Sequence, residues 1–179
     1  MREAARRRAP LPETMTLATA TRSGRPSART LLLRTFDSSG FVFYTSYNGR
    51  KGEELAENPQ AALVFYWPRL SRQIRIEGKV VKVSPRESDN YFRSRPRDSQ
   101  LSAWASQQSR VVRDRRFLEE RAKRFGTKYP GRVPRPPDWG GYRLRPNLFE
   151  FWKERSGRLH DRLRYRRSKG RWMIERLAP

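Results

Sequence analysis

The first half of the chain alternates short apolar and β-branched runs with turns that contain glycine or proline. Runs of this kind around Gly-containing turns predict antiparallel hairpins. A helix is predicted over 52–58, because Pro59 stops it. Gly78 interrupts an alternating segment and predicts a bulge or bend there. The predicted strands are 15–21, 27–37, 41–46, 61–67 and 73–83.

The second half of the chain changes to helical spacing and then returns to strands. Pro85 suits the first position of a helix that runs to about Arg95. Many short strands with helices between them favour a mainly β fold, a small antiparallel barrel with helical additions. The remaining predicted elements are helices over 99–107 and 113–125, a loop over 126–138, and strands over 148–153, 163–167 and 172–177.

Length and composition limit the class of protein. A chain of 179 residues fits one domain, which we assign to 14–179, after a basic and flexible tail over 1–13. Its aromatic content of 12% argues against disorder. No run is long enough for a membrane span and no apolar segment follows Met1, so we expect a cytoplasmic protein without a secretory signal. The lack of cysteine excludes thiolate chemistry, and the single histidine, His160, excludes multi-histidine metal centres.

The formal net charge of +23 leaves two interpretations open. Lysine and arginine number 41 against 18 acidic residues, and 34 of the basic residues are arginine. The excess fits binding of nucleic acid, an acidic membrane or a phosphorylated ligand. However, it is spread along the chain, and it can also reflect genomic base composition. We therefore expect binding to nucleic acid to be weak and non-specific.

Two segments carry side chains that suit a phosphorylated aromatic ligand. Residues 91–100 combine three arginines with tyrosine and serine hydroxyls at a helix–helix junction, a good phosphate site. Residues 150–162 bring a tryptophan, arginines and the single histidine together, groups that lie flat on aromatic ligands. The first segment alone also fits a solvated Arg-rich turn, and the second a hairpin with surface charges. Because P-loop, dinucleotide and Ser-His motifs are absent, an enzyme with this sequence needs a cofactor for difficult chemistry.

Nine short motifs follow one another along the chain. They are R-T-L-L-L-R at 29–34, Y-T at 44–45, R-K at 50–51, R-Q at 72–73, Y-F-R-S-R-P-R-D-S-Q at 91–100, Q-S at 108–109, E-F-W at 150–152, R-L-H-D-R at 158–162 and the terminal R-L-A-P. From Thr14 to Pro179 the sequence therefore resembles the pyridoxine/pyridoxamine 5′-phosphate oxidase family. The resemblance implies an FMN-binding split β-barrel, antiparallel and of Greek-key type, with short peripheral helices, that forms a homodimer.

The resemblance implies that FMN binds at the interface between two subunits, with no metal. Arg50 and Lys51 precede the predicted helix, where cations and helix N–H groups favour a phosphate. The partner subunit is implied to supply some of Gln73, Gln108, Ser109, Trp152 and Arg162. The full implied set is Arg29, Thr30, Leu31, Leu32, Leu33, Arg34, Tyr44, Thr45, Arg50, Lys51, Gln73, Gln108, Ser109, Trp152 and Arg162.

The resemblance also implies a substrate site. Tyr91, Arg95 and Ser99 would bind the substrate phosphate, on one helix face if the helix continues through Pro96. The family commonly has a lysine at the position of Arg34, where it meets that phosphate. The implied catalytic residues are Arg158 and His160, which would also bind the pyridine ring and share one face if their segment is extended.

The implied reaction is hydride transfer from substrate C4′ to flavin N5, followed by reoxidation with O2 to give H2O2. The products are pyridoxal 5′-phosphate and, from the amine substrate, ammonia. One alternative is a split-barrel flavin oxidase for another substrate, of the phenazine-biosynthesis type. Another is a non-enzymatic basic protein that binds flavin or nucleic acid. The family also leads us to expect a longer segment before the first strand than residues 1–13.

Overall fold

The computed structural model describes residues 4, 6, 7 and 10–179, so part of the predicted tail lies outside the described residues. The described residues form a nine-stranded sheet with peripheral helices, which confirms the predicted mainly β, antiparallel fold. The elements are β1 (Thr14–Ala20), β2 (Pro26–Leu32), β3 (Thr35–Asp37), β4 (Gly40–Ser46), α1 (Arg50–Glu57), β5 (Gln60–Trp67), β6 (Arg72–Lys82), α2 (Pro85–Ser94), α3 (Arg97–Ala105), α4 (Arg115–Lys128), β7 (Trp139–Lys153), β8 (Asp161–Ser168) and β9 (Arg171–Arg176).

The sheet divides at β7. One edge of β7 pairs with β6 along nearly its whole length. The other edge of β7 pairs with β4 in its first half and with β8 in its second half. The β6–β7 register shifts at Gly78, which faces Pro146. A Cβ atom on Gly78 would lie 2.0 Å from the Arg145 carbonyl oxygen, so only glycine fits this approach. The predicted bend at Gly78 is confirmed, and the sheet curls around it.

Two apolar clusters hold the curled sheet together. The larger cluster is formed by inward-facing side chains of β1, β4, β5 and β7. Among them are Leu17, Phe43, Leu63 and Leu144. Full burial of a side chain of this size contributes about 1.5–3 kcal/mol. The smaller cluster contains Phe92 of α2, Val133 and Trp139, and it fixes α2 against the start of β7. This second cluster positions the helices that border the candidate site.

Strand β7 begins nine residues before the predicted strand over 148–153. No element was predicted for 139–147, which contains two glycines and a proline. Gly140 and Gly141 are accommodated because tyrosine rings pack directly over their backbone. Pro146 lies at the irregularity opposite Gly78, where the missing N–H matters least. The predicted loop over 126–138 is also wrong at its start, because α4 continues to Lys128.

Helix boundaries differ from the predictions in two places that matter for the site. Arg50 and Lys51 do not precede α1; they are its first two residues. Helix α2 ends at Ser94, and Arg95 is extended because a following proline disfavours helical geometry. Tyr91, Arg95 and Ser99 therefore do not share one continuous helix.

The condition that the segment around Arg158 is extended is not met. Residues Ser156–Arg158 form a 3-10 turn, in which Gly157 and Arg158 have φ of 63° and 61°. Arg158 and His160 therefore do not lie side by side on a strand. None of the helices in the described part of the chain combines the length and apolar character that a membrane span needs.

Candidate active site

A cleft of about 320 Å³ collects predicted cofactor and substrate residues from distant parts of the chain. It lies between the ends of β2 and β4, the junction of α2 with α3, and the start of β7. We call it the aromatic cleft. Its lining residues are Leu31, Leu32, Arg34, Tyr44, Thr45, Tyr91, Arg95, Gln108 and Trp139. All of these except Trp139 belong to the predicted set, so the fold brings together residues that the sequence separates.

Three nearly parallel rings form one wall of the aromatic cleft. The rings of Tyr44 and Tyr91 lie 3.8 Å apart, and Trp139 lies 5.7 Å from Tyr44. The Arg95 guanidinium lies 4.6 Å from the centre of the Trp139 ring, and the Arg34 guanidinium lies 5.7 Å from that of Tyr91. Burial raises the pKa of Tyr44 to about 12, so its hydroxyl stays protonated near neutral pH. The wall is therefore an uncharged cluster of three aromatic rings, with Arg34 against Tyr91 and Arg95 against Trp139.

Arg95 has an unsatisfied donor in this cleft. Its Nη1 atom is buried and has no hydrogen-bond partner. Burial lowers the pKa of Arg95, and nearby Arg34 lowers it further. A buried donor without a partner costs free energy, which an anionic ligand would recover. The geometry therefore fits a bound phosphate.

The junction that carries Arg95 is fixed from α3. The Gln100 side-chain amide donates hydrogen bonds to the carbonyl oxygens of Phe92, Arg93 and Arg95 at 3.0, 3.2 and 3.0 Å. The Phe92 carbonyl also accepts from the Arg95 backbone N–H, so Gln100 adds a tie between the end of α2 and α3. Ser99, in the first turn of α3, does not line the aromatic cleft.

The first turn of α1 forms a cationic corner beside the aromatic cleft. The buried Lys51 ammonium donates to the Gln108 Oε1 atom at 2.6 Å and to the Thr45 hydroxyl at 3.2 Å. Burial lowers the pKa of Lys51 to about 8, with a further contribution from Arg29. Both acceptors are neutral, and the N–H groups at a helix start add positive potential. This corner is therefore suited to an anion.

Glu54, which the sequence analysis did not select, organises the arginines of this corner. Its carboxylate accepts from Arg50 Nε at 2.9 Å, from Arg29 Nη2 at 3.2 Å and from Ser27 at 2.6 Å, and also from Thr19. Burial alone would raise the pKa of Glu54, but these hydrogen bonds outweigh it and lower the pKa to about 2. The Arg50–Glu54 spacing of four residues was the only signal in the sequence.

A second group of predicted residues lies across β6, β7 and β8. Gln73 is directly opposite Trp152, which is directly opposite Arg162. Residues opposite each other in antiparallel strands project from the same face of the sheet. The ring of His160 lies 4.8 Å from that of Trp152, and its Nδ1 accepts a hydrogen bond from the Arg155 backbone N–H at 3.2 Å.

Arg162 is held in place from two sides. Its Nε donates to buried Glu150 at 2.8 Å, and its Nη1 donates to the Ala178 carbonyl oxygen at 2.8 Å. The hydrogen bond from Arg162 to Glu150 raises the pKa of the guanidinium further, so Arg162 stays charged. Both partners lie in motifs of the sequence analysis, E-F-W and the terminal R-L-A-P, but neither Glu150 nor Ala178 was given a role there.

The two groups are at opposite ends of β7. Trp139 is the first residue of β7, and Trp152 is next to its last residue. Gln73 and Trp152 line another cavity, of about 390 Å³, and among the described residues this cavity shares no lining residue with the aromatic cleft. Of the other predicted residues, Leu33 is buried in the core, whereas Thr30, Ser109 and Arg158 are exposed. A single subunit therefore presents the predicted residues as two separate surfaces.

Two family models match the chain, one over each part of it. Residues 1–129 match the family described as pyridoxamine 5′-phosphate oxidase, and residues 139–179 match the pyridoxine 5′-phosphate oxidase C-terminal dimerisation region. The chain belongs to the pyridoxamine 5′-phosphate oxidase family. The resemblance drawn from the nine motifs is confirmed, as is the split-barrel fold of the family.

Relatives in this family cover most of the chain. This chain is 57% identical to a pyridoxine/pyridoxamine 5′-phosphate oxidase from Acaryochloris marina. The alignment spans 171 residues, which is 95% of this chain and 78% of the relative. A protein of the same name from Paraburkholderia phymatum is 58% identical, over 95% of this chain and 81% of the relative.

Solved structures support the same fold. PhzG from Burkholderia lata, in complex with tetrahydrophenazine-1-carboxylic acid, has a TM-score of 0.95 and 36% identity, over 99% of this chain and 88% of that one. A pyridoxamine 5′-phosphate oxidase-related, FMN binding protein from Nostoc punctiforme has a TM-score of 0.80 and 20% identity, over 99% and 94% of the chains, and supports the fold alone.

The matched dimerisation region explains an apolar surface on the last strands. Trp172 and Ile174 of β9 are exposed on one face of the sheet, and Phe151 of β7, which is also exposed, projects from the same face. Trp172 packs 5.4 Å from Phe149, which continues the apolar surface onto β7. Contiguous exposed apolar surface commonly marks an interface between proteins. In this family the C-terminal region serves dimerisation, and the predicted homodimer is consistent with that match.

Proposed function

We propose that this protein oxidises pyridoxamine 5′-phosphate and pyridoxine 5′-phosphate to pyridoxal 5′-phosphate, with FMN as cofactor and O2 as electron acceptor. The observation that carries the proposal is the buried, unpartnered Nη1 of Arg95 in the aromatic cleft, beside Arg34 and Tyr91. A phosphorylated substrate provides the anion that this donor lacks. The names of the relatives that are 57% and 58% identical support the same activity.

The cationic corner at α1 fits the phosphate of FMN. Lys51 is buried against neutral oxygens, so a phosphate there would supply the opposite charge that its ammonium lacks. Arg29 and Arg50, oriented by Glu54, would contribute guanidinium donors. When bound, FMN accepts a hydride from the substrate and passes the electrons to O2, which yields H2O2.

We further propose that each FMN site is completed by the partner subunit. Gln73, Trp152 and Arg162 face one side of the sheet at the end of β7 remote from the aromatic cleft. A homodimer would bring this surface of one subunit to the aromatic cleft of the other. Arg162, held by Glu150, would then present its remaining N–H groups to the flavin.

Arg158 and His160 are proposed to contact the pyridine ring of the substrate. His160 is oriented by the Trp152 ring and by the hydrogen bond that its Nδ1 accepts, which leaves the proton of the neutral imidazole on Nε2. Arg158 is exposed and lies in a turn with positive φ. Both side chains are therefore free to meet a ligand bound mainly by the other subunit.

Flavin content, oligomeric state and turnover test the proposal together. We expect a yellow dimer that retains its flavin on desalting and releases H2O2 with either phosphorylated substrate. Unphosphorylated pyridoxamine should react poorly, because Arg95 would have no anion to bind. A flavin-loaded protein that oxidises neither phosphate would contradict the proposed substrate.

The remaining candidate is an oxidase of the phenazine-biosynthesis type, which the likeness to PhzG favours. A tricyclic carboxylic acid carries a single negative charge and no phosphate. The combination of Arg34, Arg95 and Tyr91 is better matched to a phosphate dianion. Assay of a reduced phenazine-1-carboxylic acid beside pyridoxamine 5′-phosphate separates the two functions.

Subunit complementation tests the shared site. Lys51→Ala removes a cation from the aromatic-cleft side, and Arg162→Ala removes one from the other surface. Each variant alone should lose FMN binding in both sites of its dimer. Heterodimers that form at random contain one intact site, so co-expression should restore about a quarter of the wild-type activity. Failure to restore any activity in confirmed heterodimers would place both residues in one subunit's site.

A further inference from the structure

Trp139 lines the aromatic cleft but belongs to none of the nine motifs. It is the first residue of β7 and is 7% exposed. The Arg95 guanidinium carbon lies 4.6 Å above the indole ring and 5.6 Å from the ring of Phe92. Within residues 10–179, Arg95 forms no ion pair with a carboxylate. Its charge is therefore held by aromatic faces alone.

This arrangement has a consequence for ligand binding. A carboxylate that paired with Arg95 would neutralise most of its field and compete with a phosphate for the same donors. An aromatic face attracts a guanidinium through its quadrupole but adds no net negative charge. Arg95 therefore keeps its positive charge and an unsatisfied Nη1 donor.

The indole itself is fixed on several sides. Its ring is stacked parallel to Tyr44 and meets the edge of Phe92 at 5.1 Å. The Trp139 carbonyl oxygen accepts a hydrogen bond from Arg135, which also pairs with Asp89 at 2.6 Å. A rigid ring allows the guanidinium above it few orientations.

We propose that Trp139 is a positioning residue that aims Arg95 at the substrate phosphate and so sets the preference for phosphorylated over unphosphorylated substrates. The inference rests on the proposed function for the identity of the substrate. The indole acts through Arg95 and need not touch the substrate.

The test compares Trp139→Leu, which removes the aromatic face, with Trp139→Phe, which keeps a smaller one. Trp104→Leu is the matched control, because Trp104 belongs to the same apolar cluster but packs on Phe125 and Tyr129. Each FMN-loaded variant is assayed with pyridoxamine 5′-phosphate and pyridoxamine, and inorganic phosphate binding is measured by calorimetry.

We expect Trp139→Leu to weaken phosphate binding and to raise KM for the phosphorylated amine by about threefold to thirtyfold. Trp139→Phe should show a smaller shift in the same direction. The kcat/KM for unphosphorylated pyridoxamine and the flavin content should stay within about twofold, as in Trp104→Leu. In an Arg95→Ala background the effect of Trp139→Leu on phosphate binding should disappear, because the two residues act as a unit.

The inference would be overturned if Trp139→Leu lost kcat/KM equally with pyridoxamine 5′-phosphate and with pyridoxamine. It would also be overturned if both Trp139→Phe and Trp139→Leu bound inorganic phosphate as wild type does. If Trp139→Leu does not fold, Trp139→Phe decides: unchanged phosphate affinity refutes the role. Calorimetry measures phosphate binding without turnover, so it distinguishes a failure of the positioning role from a failure of the proposed function. Wild type that binds phosphate through Arg95 and Trp139 but oxidises neither amine would refute the proposed substrate and leave the positioning role standing.

Discussion

The Lys51 ammonium lies 2.6 Å from the Oε1 atom of Gln108, and this contact joins the first turn of α1 to a loop 57 residues later. The acceptor is neutral, as is the Thr45 hydroxyl beside it. Burial therefore lowers the pKa of Lys51 to about 8. The lysine that we propose to meet the FMN phosphate thus titrates close to physiological pH.

FMN affinity should fall as the pH rises above 8. A phosphate dianion favours charged Lys51, so binding takes up a proton when the cofactor-free lysine is neutral. Between pH 7 and pH 9 we expect the FMN dissociation constant to increase about tenfold. Fluorescence titration of the cofactor-free protein with FMN measures this change.

Lys51→Arg is the matched control for that titration, because a guanidinium stays protonated throughout this range. Its FMN affinity should be nearly independent of pH, whatever its absolute value. An equal pH dependence in wild type and Lys51→Arg would show that another group controls binding.

Glu54→Gln should remove a pH-dependent contribution to folding. The pKa of Glu54 is about 2 in the folded chain and near 4.3 when unfolded. Because the folded pKa is the lower one, the contribution is complete above about pH 4.5 and is lost progressively as the pH falls towards 2. It amounts to roughly 3 kcal/mol at neutral pH.

Urea denaturation from pH 7 to pH 3 measures the effect of Glu54→Gln on the free energy of unfolding. The difference from wild type should be largest at pH 7 and shrink below pH 4.5. Glu57→Gln is the control, because Glu57 lies on the same helix but is exposed. A deficit that stays constant with pH would mean that the Glu54 charge contributes nothing.

The sequence predicted what depends on local pattern. Apolar and β-branched runs located the strands of the first half, although the predicted strand over 27–37 is divided into β2 and β3, and the bulge at Gly78 followed from one glycine in an alternating segment. The first half of β7 was missed because Gly140 and Gly141 look like turn residues. Tyrosine rings pack so closely against Gly140 and Gly141 that a side chain at either position would collide with them, and this contact is visible only in the folded chain.

The candidate site was predictable only where a motif marked it. Glu54, Gln100 and Trp139 were not selected, although each contacts a selected arginine. Their partners are distant in the sequence or depend on how α2 ends, and neither relation produces a periodic signal. Long-range side-chain contacts of this kind are properties of the folded chain.

Arg95→Ala and Arg158→Ala should affect different steps. Arg95 is proposed to bind a phosphate that is present in both ground and transition states, so Arg95→Ala should raise KM more than it lowers kcat. Arg158→Ala should lower kcat as well, because it disturbs how the pyridine ring lies against the flavin. Steady-state kinetics with pyridoxamine 5′-phosphate, with flavin content as the control, measure both. Wild-type kinetics in both variants would refute these assignments.

Arg34 occupies the position where the family commonly has a lysine, and its exposed guanidinium lies 5.7 Å from the Tyr91 ring centre. A guanidinium is a planar fork that supplies two parallel hydrogen bonds, whereas an ammonium is a compact point charge. If Arg34 faces the substrate phosphate, Arg34→Lys should stay active, with KM shifted about threefold to thirtyfold in either direction, roughly 0.7–2 kcal/mol. Arg34→Ala should lose more, since a charge-assisted hydrogen bond contributes about 1.5–3 kcal/mol.

The competing explanation is that Arg34 marks a changed substrate. Pyridoxamine and pyridoxine phosphates would then be poor substrates for wild type, and Arg34→Lys would not improve them. Kinetics of wild type and Arg34→Lys on both phosphates distinguish the two explanations, provided that each protein is loaded with flavin. Activity of wild type on both phosphates, with a larger loss in Arg34→Ala than in Arg34→Lys, would assign Arg34 to the phosphate site. Inactivity of both proteins on both phosphates would favour the phenazine-type substrate, because the flavin machinery would be intact while the substrate was wrong.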